Sequence, residues 1–326
     1  MNTYLFHLFH SLNPHSLFTP RTYAMLYHFL FAVCWLISLL PLRLLYVISD
    51  GFYYVVRYVV RYRLKVVRDN LRTAFPERSE KELRRIECDF YHFFCDLFVE
   101  IIKQCSMSEE EMNRRMQFTG LDVVQKAFDG GHQFFFLMLA HYGNWEWIAS
   151  IQRWLPGVHC AQIYHKLYNA ASNRFFLKLR GQYGGECVKM KDSARRLFDM
   201  KRGNDHVVMG FISDQQPKWN AIHHFTPFLN HDTAVFIGGE HLAKKLDAVM
   251  VYGHVTRPRR GYYVCDLRLI SDHPKDAPDY DLTDAYMKLL EADIVETPHL
   301  WLWSHKRWSR TKEEWLRRQQ PKTPQE

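Results

Sequence analysis

The sequence predicts an α/β fold: a central, largely parallel mixed sheet covered by helices, with a membrane-associated helix at the N-terminus. Apolar runs typical of buried strands alternate with amphipathic helical segments, a pattern that favours parallel strands covered on both faces. No Pro/Gly/Ser-rich linker, low-complexity tract or internal repeat interrupts this alternation, so we treat the body as one domain. An uncharged apolar segment precedes it near the N-terminus.

Composition limits both the class of protein and its partners. The 326 residues are 47% hydrophobic and 24% charged, which excludes a disordered chain, a collagen-like repeat and a polytopic membrane protein. The formal net charge of +8 favours a negatively charged partner, such as nucleic acid, anionic lipid or an acidic carrier protein. The seven cysteines form no CxxC pair, so we expect reduced apolar side chains rather than a disulfide framework or a zinc site.

The N-terminal apolar segment is long enough to reach across a bilayer. No charged residue lies between Arg21 and Arg43, and residues 29–40 are almost wholly apolar. A membrane-crossing helix needs about 20 apolar residues. A cleaved signal peptide fits less well, because the run starts late and has no A-x-A-like end. We therefore expect a retained membrane helix, with a buried core helix as the alternative.

A basic, aromatic segment follows the apolar run. Aromatic residues alternate with arginines over residues 52–65, and Arg68 and Arg72 extend the charge. This mixture is typical of a segment at the cytoplasmic surface of a membrane. It would also suit RNA, but no RNP-type pattern or zinc knuckle accompanies it. The sequence therefore predicts an anchor and interfacial segment over residues 1–65, an α/β domain over residues 66–326, and no nucleic-acid partner.

The elements of the body can be placed from their periodicity. Ser79 and Glu82 form a capping-box pattern at the start of a long amphipathic helix, whose apolar residues recur every three or four positions from Leu83 to Ile101. Strand-like runs cover residues 133–139, 158–164, 206–212, 248–254 and 262–269. Helical segments separate most of these runs, over residues 145–154, 172–180, 193–202 and 238–245.

The strongest local motif lies directly after the first of these strands. His141 and Glu146 stand on either side of a turn that contains Gly143 and Asn144, and reactive groups of α/β proteins lie at such strand ends. On one continuous helix this separation puts two side chains on different faces, but across a turn the carboxylate can return to the imidazole. An acid that holds a histidine makes it a general base. With 18 histidines in the chain, a capped turn without a catalytic role is the alternative.

Several ordered motifs resemble those of the bacterial lipid A late acyltransferases, part of the wider His-x4-Asp/Glu acyltransferase superfamily. Residues 141–146 (HYGNWE) are similar to the signature of that family. The further segments that resemble it are residues 40–43 (LPLR), 70–76 (NLRTAFP), 207–217 (VVMGFISDQQP), 227–230 (PFLN) and 301–308 (WLWSHKRW). The likeness extends over about residues 40–310, and several motifs in the expected order are more specific than one.

The resemblance implies a fold like that of the glycerolipid acyltransferases and a function in acyl transfer. A fatty acyl chain would pass from an acyl thioester, usually on acyl carrier protein, to a hydroxyl of a lipid A precursor at the cytoplasmic face of the bacterial inner membrane. The positive net charge fits an acidic carrier, a phosphorylated glycolipid and an anionic membrane surface. We expect a monomer that needs no cofactor. Another glycolipid or aminolipid acceptor, or a lipid-binding protein without catalysis, is the alternative.

The resemblance also implies roles for four residues. His141 would take the proton of the acceptor hydroxyl, which then attacks the thioester without an acyl-enzyme. Glu146 corresponds to the motif acid, and Asp214 matches a carboxylate that can serve the histidine, so either acid is a candidate to orient His141. Arg180 matches an arginine that would stabilise the developing oxyanion. From the residues alone, Asp214 is equally a helix N-cap or Asx turn, and Arg180 is a helix-surface arginine.

The chain departs from the family pattern at one basic position and shows no metal motif. Where relatives often have Arg-Pro, it has His165 and Lys166, and a lysine keeps the charge without the bidentate geometry of arginine. The histidines over residues 223–231 lack a zinc spacing, so no metal site is predicted. Three tryptophans are expected to pack in the core or at a membrane interface, with an acyl groove as the alternative: Trp301, Trp303 and Trp308.

Overall fold

The computed structural model of the protein describes the backbone of residues 20–320, with the side chains of residue 25 and residues 27–320. The parts of the predicted anchor and domain over residues 1–19 and 321–326 lie outside the described residues. The described chain is built around a seven-stranded sheet flanked by helices. The α/β class predicted from the sequence is therefore confirmed.

The strands, in chain order, are β1 (Met116–Thr119), β2 (Phe134–Leu139), β3 (His159–Tyr164), β4 (Glu186–Lys189), β5 (Val207–Ile212), β6 (Phe225–Phe228), β7 (His231–Ala234), β8 (Val249–Arg259) and β9 (Tyr262–Ser271). The order in the large sheet is β1-β9-β8-β2-β5-β3-β4, and β6 pairs with β7 in a separate hairpin. Neighbours in the large sheet run parallel, except β8 and β9, which are antiparallel. All residues of β2 are buried, so the sheet is covered on both faces at its centre.

The α-helices are α1 (Pro20–Ser38), α2 (Leu42–Tyr54), α3 (Leu64–Ala74), α4 (Glu80–Lys103), α5 (Glu109–Arg115), α6 (Asp122–Asp129), α7 (Ala170–Gly181), α8 (Ser193–Lys201), α9 (Gly238–Leu246), α10 (Asp281–Glu296) and α11 (Lys312–Gln319). A π-helical turn over Val55–Val59 continues α2. Shorter 3-10 helices lie between these elements, and the longest of them covers Trp147–Trp154.

The sequence located the long elements and missed the short ones. The five predicted strands are present as β2, β3, β5, β8 and β9, whereas β1, β4, β6 and β7 have only four residues each. Four residues are too few for an alternating pattern to be recognised. The capping box is confirmed, since Ser79 Oγ accepts from Glu82 N and the Glu82 carboxylate accepts from Ser79 N. The helix predicted over residues 145–154 is instead the 3-10 helix Trp147–Trp154.

The predicted membrane helix is interrupted at Pro41. α1 ends at Ser38 and α2 begins at Leu42, because proline lacks an N–H donor and disfavours a helical conformation in the residue before it. Among residues 20–320, no single helix has the length and hydropathy needed to cross a bilayer. Tyr27–Ser38 and Leu42–Val59 reach that criterion only as a pair, which is bent by 113°.

Helix α2 packs against the body with an inner face that carries both apolar and polar side chains, and its outer face is exposed. On the inner face, Tyr46 Oη donates to Glu100 Oε1 of α4 at 2.8 Å, and Ser49 Oγ donates to Asp96 Oδ1 at 2.8 Å. We call the exposed large hydrophobic side chains of residues 25–60 the apolar face. They are Met25, Phe29, Val33, Trp35, Leu36, Leu39, Leu40, Leu44, Val47, Ile48, Tyr54, Val55, Tyr58, Val59 and Val60.

Candidate active site

Parallel pairing of β2 with β5 brings His141 and Asp214 together. Leu139 is the register partner of Ile212, and each of the two polar residues lies two positions beyond that pair. Both side chains are almost completely buried, and His141 Nδ1 lies 2.5 Å from Asp214 Oδ1. The structure therefore places a histidine and a carboxylate in direct contact at the carboxyl edge of the sheet, where α/β folds position reactive groups.

The contact determines which nitrogen of His141 carries the proton. An ionised carboxylate only accepts hydrogen bonds, so Nδ1 donates to Asp214 and Nε2 keeps its lone pair. In the described part of the chain, Nε2 is buried and has no hydrogen-bond partner. His141 also lines a large cavity. Nε2 is thus the atom that can take a proton from a molecule bound there.

Asp214 is held in its ionised form by its neighbours. Trp301 Nε1 donates to its second oxygen, Oδ2, at 2.9 Å. Burial alone would raise the pKa of the Asp214 carboxyl, but the charge and hydrogen bond of His141, together with the Trp301 N–H, keep that pKa below its usual value. Asp214 can therefore stabilise an imidazolium on His141.

Glu146 does not contact His141 through a hydrogen bond and pairs with Arg180 instead. Arg180 Nε donates to Glu146 Oε2 at 2.8 Å, and Nη2 donates to Oε1 at 2.6 Å. Both side chains are buried. Burial would lower the pKa of the Arg180 guanidinium, but the Glu146 carboxylate raises it above its usual value. The helix-surface interpretation of Arg180 is wrong, because α7 turns this residue inward to the motif carboxylate.

The cavity has a volume of about 830 Å³ and contacts His141, Glu146 and Arg180. Its buried wall comes from β2, β3, β5 and the 3-10 helix, with Leu137, Ile148, Ile151, Cys160, Ala161 and Val208 among the lining residues. Four exposed lysines also line it: Lys166, Lys189, Lys191 and Lys218. Because exposed side chains lie at the opening and buried ones inside, the cavity has a basic mouth and an apolar interior.

Comparison with protein families decides what kind of site this is. The sequence profile of the bacterial lipid A biosynthesis acyltransferases matches residues 14–310. The chain belongs to this family. The resemblance drawn from the motifs is confirmed, and the protein is an acyltransferase of lipid A biosynthesis. A comparison with curated proteins gives no match to the chain.

The motif turn of this acyltransferase is fixed by Asn144 together with Glu100, a residue that the sequence did not single out. Asn144 Nδ2 donates to Glu100 Oε2 at 2.8 Å, and Asn144 Oδ1 accepts from Trp147 N at 3.2 Å. Tyr263 Oη also donates to Glu100 Oε2 at 2.8 Å. Glu100 is fully buried, and burial raises the pKa of its carboxyl. A buried glutamate within an amphipathic helix was the available signal, since charged residues are seldom placed on an apolar helix face.

The segment over residues 298–310, which we call the C-terminal segment, supports the turn from behind. Leu302 N donates to the His141 carbonyl at 3.1 Å, and Gly143 N donates to the Leu300 carbonyl at 3.0 Å. Trp301 supplies its ring N–H to Asp214. The packing prediction for the three C-terminal tryptophans is confirmed, because Trp301 and Trp303 are buried in the core and Trp308 packs against it.

The histidines after β5 have partners other than a metal. His224 Nε2 lies 2.8 Å from Asp284 Oδ1, and His231 stacks on Trp308 with ring centroids 4.2 Å apart. Among residues 20–320, no group of three or more histidine, cysteine or acidic side chains is arranged to hold a metal ion.

Replacing Gly143 by alanine should destabilise the protein through the motif turn. The backbone φ of Gly143 is +60°, and an added Cβ would lie 2.6 Å from Val255 Cγ1. Overpacking and left-handed strain each cost on the order of 1–3 kcal/mol. We therefore expect the free energy of unfolding of Gly143→Ala to fall by about 2–4 kcal/mol in denaturant titrations.

Gly181→Ala is the matched control for this variant. No atom lies within 4 Å of the Cβ that would be added at Gly181, and alanine in a helix lowers the entropy of the unfolded chain. Its free energy of unfolding should stay unchanged or rise by up to about 1 kcal/mol. Equal stability of the two variants would show that the turn tolerates a side chain at Gly143.

Proposed function

We propose that this acyltransferase transfers a fatty acyl chain from an acyl thioester on acyl carrier protein to a hydroxyl of a lipid A precursor, with His141 as general base. The observation that carries the proposal is the orientation of His141. Asp214 occupies Nδ1, and the unpaired Nε2 belongs to a side chain that lines the cavity. A base held in this way is suited to make an alcohol nucleophilic.

Proton and electron movements follow from this geometry. The acceptor hydroxyl gives its proton to His141 Nε2 while its oxygen attacks the thioester carbonyl, which forms a tetrahedral intermediate. Collapse of the intermediate breaks the carbon–sulfur bond, and the imidazolium returns the proton to the departing thiolate. Asp214 stabilises the imidazolium between these two steps. The ester forms directly, without an acyl-enzyme.

Arg180 is suited to stabilise the oxyanion of the intermediate. Its pair with Glu146 uses Nε and Nη2, which leaves the Nη1 protons to donate to the carbonyl oxygen. The guanidinium lies at the cavity and is fixed by a bidentate bond, so it needs no reorganisation when negative charge develops. Glu146 is therefore a positioning residue for Arg180, and Asp214 takes the corresponding role for His141.

The apolar interior of the cavity fits an acyl chain. It is formed by buried aliphatic side chains and by Gly210 of β5, and an added Cβ at Gly210 would meet no atom closer than 3.7 Å. An apolar chain placed there gains about 0.8 kcal/mol for each buried methylene. The thioester at its end would then lie beside His141.

The basic mouth fits the two anionic substrates. Acyl carrier protein is acidic and lipid A precursors carry phosphate, so the exposed lysines would attract both and raise encounter rates. His165 stands where relatives often have arginine, and the neighbouring Lys166 would supply the charge there without a fixed fork of donors.

The apolar face explains how the enzyme would reach a lipid substrate. An exposed apolar surface of this size on a soluble molecule is unusual, and Arg43, Arg61 and Lys65 lie close to it in sequence. Apolar side chains beside cations bind anionic bilayers by combining burial with charge attraction. We propose attachment to the cytoplasmic face of the bacterial inner membrane through this face, by a monomer.

The general base is tested by His141→Ala. We expect transfer from acyl carrier protein to a lipid A precursor to fall by about 10²–10⁴-fold, because a positioned general base contributes that much to the rate. Asp214→Asn should lower kcat much more than it raises the KM for the acceptor. His273→Ala, which changes an exposed histidine, should keep wild-type activity.

Mass spectrometry of membrane lipids from cells with and without the protein identifies the acceptor. A lipid A species lighter by one acyl chain in cells lacking the protein is the expected result. A mass change in an aminolipid or another glycolipid would identify that lipid as the acceptor instead. Transfer by His141→Ala at a near wild-type rate would show that His141 is not the general base.

The placement of the acyl chain is tested at Gly210. Gly210→Leu should shift the preferred donor to chains shorter by about two to four carbons, because the new side chain occupies part of the apolar interior. Gly210→Ala adds a single methyl and should retain the wild-type preference. Competition between acyl donors of different lengths measures the change, and a folded Gly210→Leu variant with unaltered preference would place the chain elsewhere.

Membrane attachment is tested on the apolar face. Ile48→Glu should weaken binding to vesicles containing anionic lipid by about tenfold or more, because burying an isoleucine contributes about 1.5–3 kcal/mol. Leu316→Glu on α11 is the matched control, since Leu316 and Ile48 are both 51% exposed. Equal flotation of the two variants with vesicles would argue against this face as the attachment site.

A further inference from the structure

Arg307 is a buried charge without a direct partner. Its side chain has no exposed surface, and none of its three guanidinium nitrogens has a hydrogen-bond partner in the described chain. The other two buried arginines among residues 20–320 are paired with buried glutamates, Arg57 with Glu87 at 2.7 Å and Arg180 with Glu146 at 2.6 Å. Burying an unpaired cation lowers the stability of the fold. We therefore expect Arg307 to have a function that offsets this cost.

The residues around Arg307 are bonded to the loop that carries Asp214. Trp301 donates to Asp214 itself. His305 Nε2 accepts from Gln216 N at 3.3 Å, and Gln216 Oε1 accepts from Ser309 Oγ at 2.8 Å. The chain therefore contacts this loop on both sides of Arg307, which holds the guanidinium near the carboxylate without a direct hydrogen bond.

Electrostatics agree with that placement. Burial lowers the pKa of the Arg307 guanidinium to about 10, although the Asp214 carboxylate and the Tyr286 hydroxyl act in the opposite direction. The guanidinium thus keeps its charge near neutral pH. Burial, followed by the charge of Arg307, lowers the pKa of His305 to about 3, so this neighbouring imidazole is neutral.

We propose that Arg307 is a positioning residue that acts as the buried counter-charge of Asp214 and so limits how strongly this carboxylate favours the imidazolium form of His141. A carboxylate alone would favour the imidazolium and so block the base. A cation close to the carboxylate reduces that effect. The inference rests on the proposed function of His141 as general base.

The other groups that face His141 and Asp214 do not change this balance. Tyr286 of α10 is uncharged, because burial holds the pKa of its hydroxyl well above the usual value. His305 of the C-terminal segment is neutral. Glu146 and Arg180 form a pair without net charge. Removal of Arg307 therefore leaves one uncompensated negative charge beside His141.

The pH dependence of acyl transfer tests this role. In Arg307→Met, the acid limb of kcat/KM should move to higher pH by about one unit, because loss of the cation stabilises the imidazolium. Arg307→Lys keeps the charge, and its acid limb should stay within about 0.3 pH units of wild type. A folded Arg307→Met variant with an unmoved acid limb would overturn the inference, whereas an inactive wild-type protein would overturn the proposed function.

Stability measurements provide a second test that needs no substrate. Denaturant unfolding is compared for wild type, Arg307→Met, Asp214→Asn and the double variant. We expect the double variant to lose less stability than the sum of the single changes, because it leaves neither charge buried alone. If Arg307→Met does not fold, the double variant should still fold. Strict additivity, or a double variant that also fails to fold, would overturn the inference.

Discussion

The contact between His141 and Asp214, on which the site depends, is set by the register between two parallel strands. β2 and β5 end level with one another, so the two residues that follow each end deliver an imidazole and a carboxylate to one point. A slip of one strand by one position would turn its side chains to the other face of the sheet, so the imidazole and the carboxylate would no longer meet. The full burial of β2 prevents such a slip, because it would move a set of phenylalanines out of their packing.

This arrangement requires several ionisable side chains to be buried. Glu100, Glu146, Arg180, Asp214 and Arg307 all lie inside the body, where an apolar core of the same volume would cost less. Four of them make hydrogen bonds that fix the motif turn, the base or the guanidinium at the cavity. Donors and acceptors that are fixed before a substrate binds need not reorganise during the reaction.

Long, periodic elements and the local motif were predictable from the sequence, and long-range polar pairs were not. The strand that precedes His141 and the capping box of α4 follow local rules that act within a few residues. Asp214 and Arg180 were identified only through resemblance, because their partners lie 73 and 34 positions away. Arg307 lies in the motif over residues 301–308, yet neither it nor Glu100 was assigned a role from the sequence, because their burial becomes apparent only in the folded structure. The membrane-helix prediction relied on the length of the apolar run, whereas in the structure the helix ends before Pro41.

The side chain of Glu100 connects helix α2, which is exposed on its outer face, to the motif turn that carries His141. Glu100 accepts from Tyr46 on the inner face of α2 and from Asn144 in the motif turn. Displacing α2 would remove one of the three donors to this fully buried carboxyl group, which are Tyr46, Asn144 and Tyr263. A change at the outer surface of α2 can therefore reach the motif turn through Glu100, a side chain that both elements contact.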